Sequence, residues 1–311
     1  MNAVNLIVAA LSAAGALIFL FIGTFFLLFC ERFVNARVQH RDGAGRHGQT
    51  DFFQVWKDFQ KSRRKSSGSI LSLPLRIRFA SFVWRLLPAI FLLALFGEQY
   101  PEGSEQIDLS LLLLLPMIAT ALEALLVHAT ADSRERFDRR RRLLLRAMGA
   151  SALLLSVFAV TLRVGQLNLS AISSFQIHFP YHSFLSSPGL FLCSITAFCS
   201  IFLFVTENPV QLQEEQSLNH SMQYVTIFVQ KMWVFALICF WVYVFCGGAY
   251  GPIVKLLFPF KVAAALLLFT VLQASFPKIR SADSAELTAR WLLRLCLVGF
   301  FLEAVWVGVR G

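Results

Sequence analysis

Long apolar stretches separated by charged segments set the pattern of this chain. Eight stretches run approximately over 5–30, 79–97, 107–128, 144–165, 189–206, 228–247, 253–275 and 291–308. A helix that crosses a membrane needs about 20 mostly apolar residues, and these stretches meet that length. Pro88 and Pro259 fall in the second and seventh, where neighbouring helices can satisfy the freed carbonyls. The first run has no basic flank and no small-residue cleavage site, and it is too long for a signal segment, so it is expected to stay as the first span. The pattern predicts an all-α fold, a polytopic membrane protein with eight transmembrane helices in one integral membrane domain over 1–311.

The charged segments fix an orientation, because basic loops stay on the cytoplasmic side. The segment 31–78 holds 11 Lys and Arg, Ala129 to Arg146 holds 7, and Phe276 to Arg294 holds 4. With Lys231, 23 of the 28 basic residues fall on one side of an eight-span arrangement. The opposing loops, GEQYPEGSEQ and GQLNLSAISSFQIHFPYHSFLSSPG, hold none. Both termini are therefore expected on the side opposite the basic loops. Within the large cytoplasmic loop 31–78, DFFQVWKDFQKSRRK sets Phe52, Phe53, Trp56 and Phe59 near one helical face and turns Lys57, Asp58 and Lys61 away. That periodicity predicts an amphipathic helix at the membrane surface. Simple anchoring accounts for it; so does a role as the wall of a cavity that opens at the surface.

Composition narrows the classes. The chain is 57% hydrophobic and 15% charged, against nearer 45–50% and about 25% in an ordinary soluble domain; a soluble enzyme is excluded. The net charge of +10 sits beside apolar runs, which favours membrane lipid over nucleic acid as its partner. The six cysteines lie in or at the ends of apolar runs without a CxxC pair, so they read as small apolar residues and support no metal centre. His40, His47, His128 and His220 lack ligand spacing. No phosphate loop, nucleophile triad or paired-acid signature is present. No internal repeat of the kind secondary transporters carry is evident.

The loop ERFVNARVQHRDGAGRHGQTDFFQVWKDFQK carries the most specific motif. It resembles the first loop of the quinone-chamber membrane subunit of respiratory complex I, the bacterial NADH-quinone oxidoreductase. That family's pattern is met by Glu31, Arg32, Ala36, Arg37, Gln39, Arg41, Gly43, Arg46, Gly48, Gln54, Asp58 and Lys61 without a gap. Membrane-bound hydrogenases carry a homologous subunit with a similar loop. TENPVQLQEEQSLNHSMQYVT is similar to the family's Pro-Phe-Asp-x-x-Glu-Ala-Glu loop through Pro209, Leu212 and Glu214. ASFPKIRSADSAELTARWLLRL is similar to its Phe-Pro-x-x-Arg segment through Phe276, Pro277 and Arg280.

The departures bear on mechanism. Gln211, Gln216 and Gln223 stand at acidic positions of the family, and with Arg142 laid on its Arg the next acidic position holds Ser151. A buried carboxylate can hold and release a proton; Gln and Ser cannot. Proton coupling through this chain is expected to be weakened. Two membrane acids remain, Glu123 in the third stretch and Glu303 in the eighth. Glu123 and Glu214 are the candidate proton path, with Glu123 equally readable as a partnered acid. Glu303 lies close enough to the outer end to be expected to reach water. The basic residues fit a positive flank individually; by the resemblance, Arg37, Arg41 and Arg46 dock a soluble partner through guanidinium–carboxylate contacts. The run Arg139 to Arg142 suits anionic headgroups.

The resemblance implies a membrane subunit of a complex I-type NADH:quinone oxidoreductase in an energy-transducing membrane. Its partners would be other membrane-arm subunits and soluble iron–sulfur subunits. The chain would contribute to an enzyme complex without a catalytic cofactor of its own: quinone at the interface, no metal or flavin on this chain. Chamber or docking residues would be Glu31, Arg32, Arg37, Gln39, Arg41, Arg46, Gln54, Asp58, Lys61, Arg142, Glu207, Pro209, Glu214 and Arg280. Alternatives are the anchor of a membrane-bound hydrogenase or formate hydrogenlyase, a purely structural family member, and an unrelated transporter. A transporter calls for polar or broken helices near the midplane, whereas these stretches are largely Leu, Phe and Ala.

Overall fold

With no water in a bilayer to satisfy backbone amides, an apolar stretch of this length has the helix as its local solution. The computed structural model describes residues 3–38, 56–57, 60–61, 75–97, 109–130, 133–178, 185–205, 220–247, 252–275 and 282–310. Among them are nine helices and no strand: α1 (Ala3–Val38), α2 (Leu75–Gly97), α3 (Leu109–Thr130), α4 (Ser133–Val164), α5 (Leu169–His178), α6 (Pro188–Val205), α7 (His220–Phe245), α8 (Pro252–Ser275) and α9 (Ala282–Arg310). All but α5 coincide with the predicted apolar stretches. Five carry a segment long and apolar enough to cross a membrane: Ala10–Val38, Arg146–Val164, Phe228–Phe245, Leu256–Ser275 and Arg290–Val309. The apolar segments of α2, α3 and α6 are shorter, at Phe82–Phe96, Leu111–Leu122 and Pro188–Phe202.

The helices outrun the apolar stretches at the basic end. α1 continues through Glu31 and Arg32 to Val38, and α4 begins at Ser133 and so contains the four-arginine run. What the hydrophobic pattern marks as loop is therefore partly helix, because Arg, Lys and Glu are good helix formers in water. The segment between α4 and α6 also holds α5, a short helix the pattern leaves as loop. Gly165, in the left-handed region at φ 76°, ends α4 by giving its N–H to Thr161 O at 2.8 Å. Asn168 then starts α5, accepting from Ile172 N at 3.3 Å.

α7 is the central helix. Val234 and every residue from Ala236 to Phe240 are fully buried, and α1, α2, α6 and α8 pack around it. Aromatic rings fill this core edge to face: Phe19 with Phe235 at 5.3 Å, Phe91 with Phe240 at 5.6 Å and Phe91 with Trp233 at 5.7 Å. Gly23 makes the α1–α7 approach possible, since a Cβ there would fall 2.0 Å from the Phe235 ring. α4, α6 and α9 form a tighter unit built on small residues, and a Cβ on Gly189 would lie 2.6 Å from Glu303 N. Outward faces such as Leu256 and Phe260 of α8, and Val298, Phe301 and Val305 of α9, are apolar and exposed, as lipid-facing surfaces should be.

Candidate functional site at the basic end of the bundle

α1 carries Phe21 and Phe25 four residues apart, hence on one face. Across from them stands Phe228 of α7, with ring centroids 5.7 and 5.3 Å away. Trp56, from the segment between α1 and α2, lies against the same two rings at 5.9 and 5.3 Å. Trp56 and Lys57 are helical, as are Gln60 and Lys61, and Lys57, Gln60 and Lys61 are exposed. Next to this aromatic cluster is an open apolar groove of about 360 Å³, lined by Leu17, Ile18, Leu20, Phe21 and Ile22 of α1 and Met232 of α7. With aliphatic walls and one aromatic side, it suits a long hydrocarbon chain that needs shape and no hydrogen bonds.

A polar layer lies beside the groove, toward the basic end. Glu31 of α1 accepts from the Lys231 ammonium of α7, both side chains being mostly buried. The neighbouring Gln230 turns to the other side of α7, where a small cavity is bordered by Trp84, Ala119, Thr120, Arg146 and Trp233. Arg146 is only 4% exposed. Residues of five helices, α1, α2, α3, α4 and α7, thus bring polar groups to one level of the bundle.

A second polar cluster sits at the opposite end. Glu303 is fully buried; it accepts from the Ser187 hydroxyl and faces Arg163 at 3.5 Å. Ser187 is the N-cap of α6, its Oγ taking the Leu190 N–H at 3.1 Å. This overturns the expectation that Glu303 reaches water: the close Gly189 and Gly299 contacts pull α6 over it, and Arg163 meets the charge inside the protein. Below it, Ser156 Oγ lies 3.1 Å from Cys296 Sγ and 3.3 Å from Thr196 Oγ1, a string of small polar groups along the α4–α6–α9 seam.

Of the residues singled out by sequence, Glu31, Arg32, Arg37 and Lys61 are described. Arg32 and Arg37 lie exposed on the extension of α1, and the Arg37 guanidinium sits 5.5 Å from the Phe33 ring. Gln39, Arg41, Arg46, Gln54, Asp58, Glu207, Pro209, Glu214 and Arg280 lie outside the described residues. So do the side chains of Glu123 and Arg142, although their helices are described. Among the described residues no group of three His, Cys, Asp or Glu comes together as a metal site. Sequence reasoning missed Arg146, Gln230, Trp233, Arg163 and Ser187 as site residues, and it used Lys231 only to fix orientation. The available signal was position: Arg146 and Arg163 bracket one apolar stretch, and Gln230 and Lys231 are adjacent polar residues inside another.

A family model described as NADH dehydrogenase matches residues 11–304. The fold is similar to a chain in the structure of the membrane-bound sulfane sulfur reductase, an archaeal respiratory membrane complex. The TM-score is 0.73 at 19% identity, covering 95% of this chain and 98% of that one. No curated protein matches the chain by sequence.

Proposed function

Because the chain belongs to the NADH dehydrogenase family, we propose that it is the quinone-chamber membrane subunit of a complex I-type oxidoreductase. The groove between α1 and α7, beside the aromatic cluster of Phe21, Phe25, Trp56 and Phe228, carries this reading. A polyisoprenoid tail is apolar, flexible and long, and the groove is apolar and open along its length; its walls fit the tail and exclude water from it. Bound quinone would supply the two-electron chemistry, and the chain's own residues hold and orient it. The polar layer lies where the headgroup would meet charged groups, with Glu31 and Lys231 closest to the groove. The α1 extension with Arg32 and Arg37, continuing toward Arg41 and Arg46, is the docking surface for a soluble iron–sulfur subunit, since guanidinium forks suit carboxylates and backbone carbonyls.

In this reading the eight apolar helices all cross the membrane as one unit, α5 lies on the outer surface, and both termini face outward. The chain holds no metal or flavin. Glu123, with Glu214, is the remaining route for a proton where the family's acids are missing. A second reading draws on the fold likeness to the sulfane sulfur reductase complex: an anchor subunit of a hydrogenase-like or sulfur-reducing complex that uses no quinone. Mild solubilisation through a tag on this chain, with mass spectrometry of its partners and photolabelling by an azidoquinone, separates the two. Flavin and iron–sulfur NADH dehydrogenase subunits, with label on α1 or α7 peptides competed by excess quinone, support the first. Hydrogenase or sulfur-reductase subunits without label establish the second, and a chain that purifies alone sinks both.

A further inference from the structure

The cavity on the far side of α7 from Lys231 has a volume of about 20 Å³. A void needs only about 10–15 Å³ on this measure to hold a water, so it has room for one water and none for a quinone ring or a lipid headgroup. Its lining is mostly apolar, with hydrogen-bonding groups from Thr120, Arg146, Gln230 and Trp233 among it. The Trp233 side chain is 6% exposed, and its indole N–H has no acceptor among the described residues. Arg146 offers donors alone. The Thr120 hydroxyl already donates to Met117 O at 2.7 Å, which leaves its oxygen as an acceptor. Pro88 of α2 has no amide hydrogen for the carbonyl of Trp84, four residues before it, so a second acceptor stands on a cavity-lining residue. Empty cavities in proteins are apolar, and polar ones hold water with two to four partners.

We propose that this cavity is a built site for a single internal water. The water accepts the Trp233 N–H and an Arg146 N–H, and gives its own hydrogens to the freed Trp84 carbonyl and to Thr120 or Gln230. It carries the polar layer from the Glu31–Lys231 pair through α7 to α3 and α4. The water site stands on the cavity's chemistry alone; only its use in a respiratory complex rests on the function proposed above.

The test uses the intact complex. Ultraviolet resonance Raman difference spectra, wild type minus Trp233→Phe, report whether that one indole N–H is hydrogen-bonded. A bonded signature supports the site; a free-indole signature overturns it. Ala119→Val, which fills the cavity, is measured alone and with Trp233→Phe. With a water to displace, Val lowers the melting temperature, and lowers it less once the indole donor is gone. If the void is dry, Val raises the melting temperature or shifts it equally in both backgrounds, and the proposal fails.

Discussion

Glu303 shows how a single residue can be committed on three sides at once. Its carboxylate takes the Ser187 hydroxyl and faces Arg163, while its backbone leaves no space for a Cβ on Gly189. Ser187→Ala removes an N-cap and one partner of the acid, and is expected to cost about 1 kcal/mol. Glu303→Gln strands the Arg163 guanidinium and should cost more, about 3 kcal/mol; thermal unfolding in detergent checks both and their order. On α1, Gly23→Ala drives a methyl into a buried ring and is expected to cost roughly 1–3 kcal/mol. Ala at Gly15, where nothing lies within 4 Å, should be neutral or slightly stabilising by helix propensity. Equal effects at Gly15 and Gly23 would mean that α1 does not meet α7 as described. None of these roles is visible in the sequence: a glycine in an apolar run looks alike whether it faces lipid or a phenyl ring.

At the scale of an element, α7 is held at both ends. Lys231 ties its N-terminal part to Glu31. At its C-terminal end Gln176 of α5 donates to the carbonyls of Tyr243 and Val244 at 3.0 and 2.6 Å, and Lys261 of α8 donates to Cys246 O at 2.7 Å. A helix terminus leaves its last carbonyls unpaired and negative, and an amide and an ammonium answer that need. Glu31→Gln leaves a mostly buried ammonium without its counter-charge, an expected loss of about 3 kcal/mol, and the exchanged pair Glu31→Lys with Lys231→Glu should recover part of it. In the groove, Ile18→Trp is expected to raise the KM for a long-tailed quinone about tenfold, with little change for a short-tailed analogue; equal effects on both would remove the groove from the tail path. The helices themselves were legible, because length and apolar continuity suffice to place them. Their ends were not. Hydropathy stops at the first charges, whereas α1 and α4 run on as helices in water, and α5 is too short and polar to register.

For the whole molecule, orientation is the property most exposed to a direct test. All six native cysteines are buried or half-buried and free, so a membrane-impermeant maleimide should find little background. A cysteine at Arg46 is expected to label only from the cytoplasmic side of sealed vesicles, and one at Glu102 only from the other. The same side for both would break the alternation on which eight spans rest. The family was readable from one loop because twelve residues there, from Glu31 to Lys61, meet its pattern without a gap. The polar layer escaped notice because its members come from five separate helices, and only packing brings Trp84, Thr120, Arg146 and Gln230 to one place.

The seam between α4, α6 and α9 sets an order of events in biosynthesis. The two earlier helices leave the ribosome first, with Arg163 and Ser187, and Glu303, which meets the Arg163 charge and accepts from the Ser187 hydroxyl, arrives only with α9. Until then Arg163 lacks the carboxylate it faces in the folded chain. A chain cut short before α9 is expected to be degraded faster than one that includes it, because α9 brings Arg163 its counter-charge; pulse-chase of the two lengths checks this.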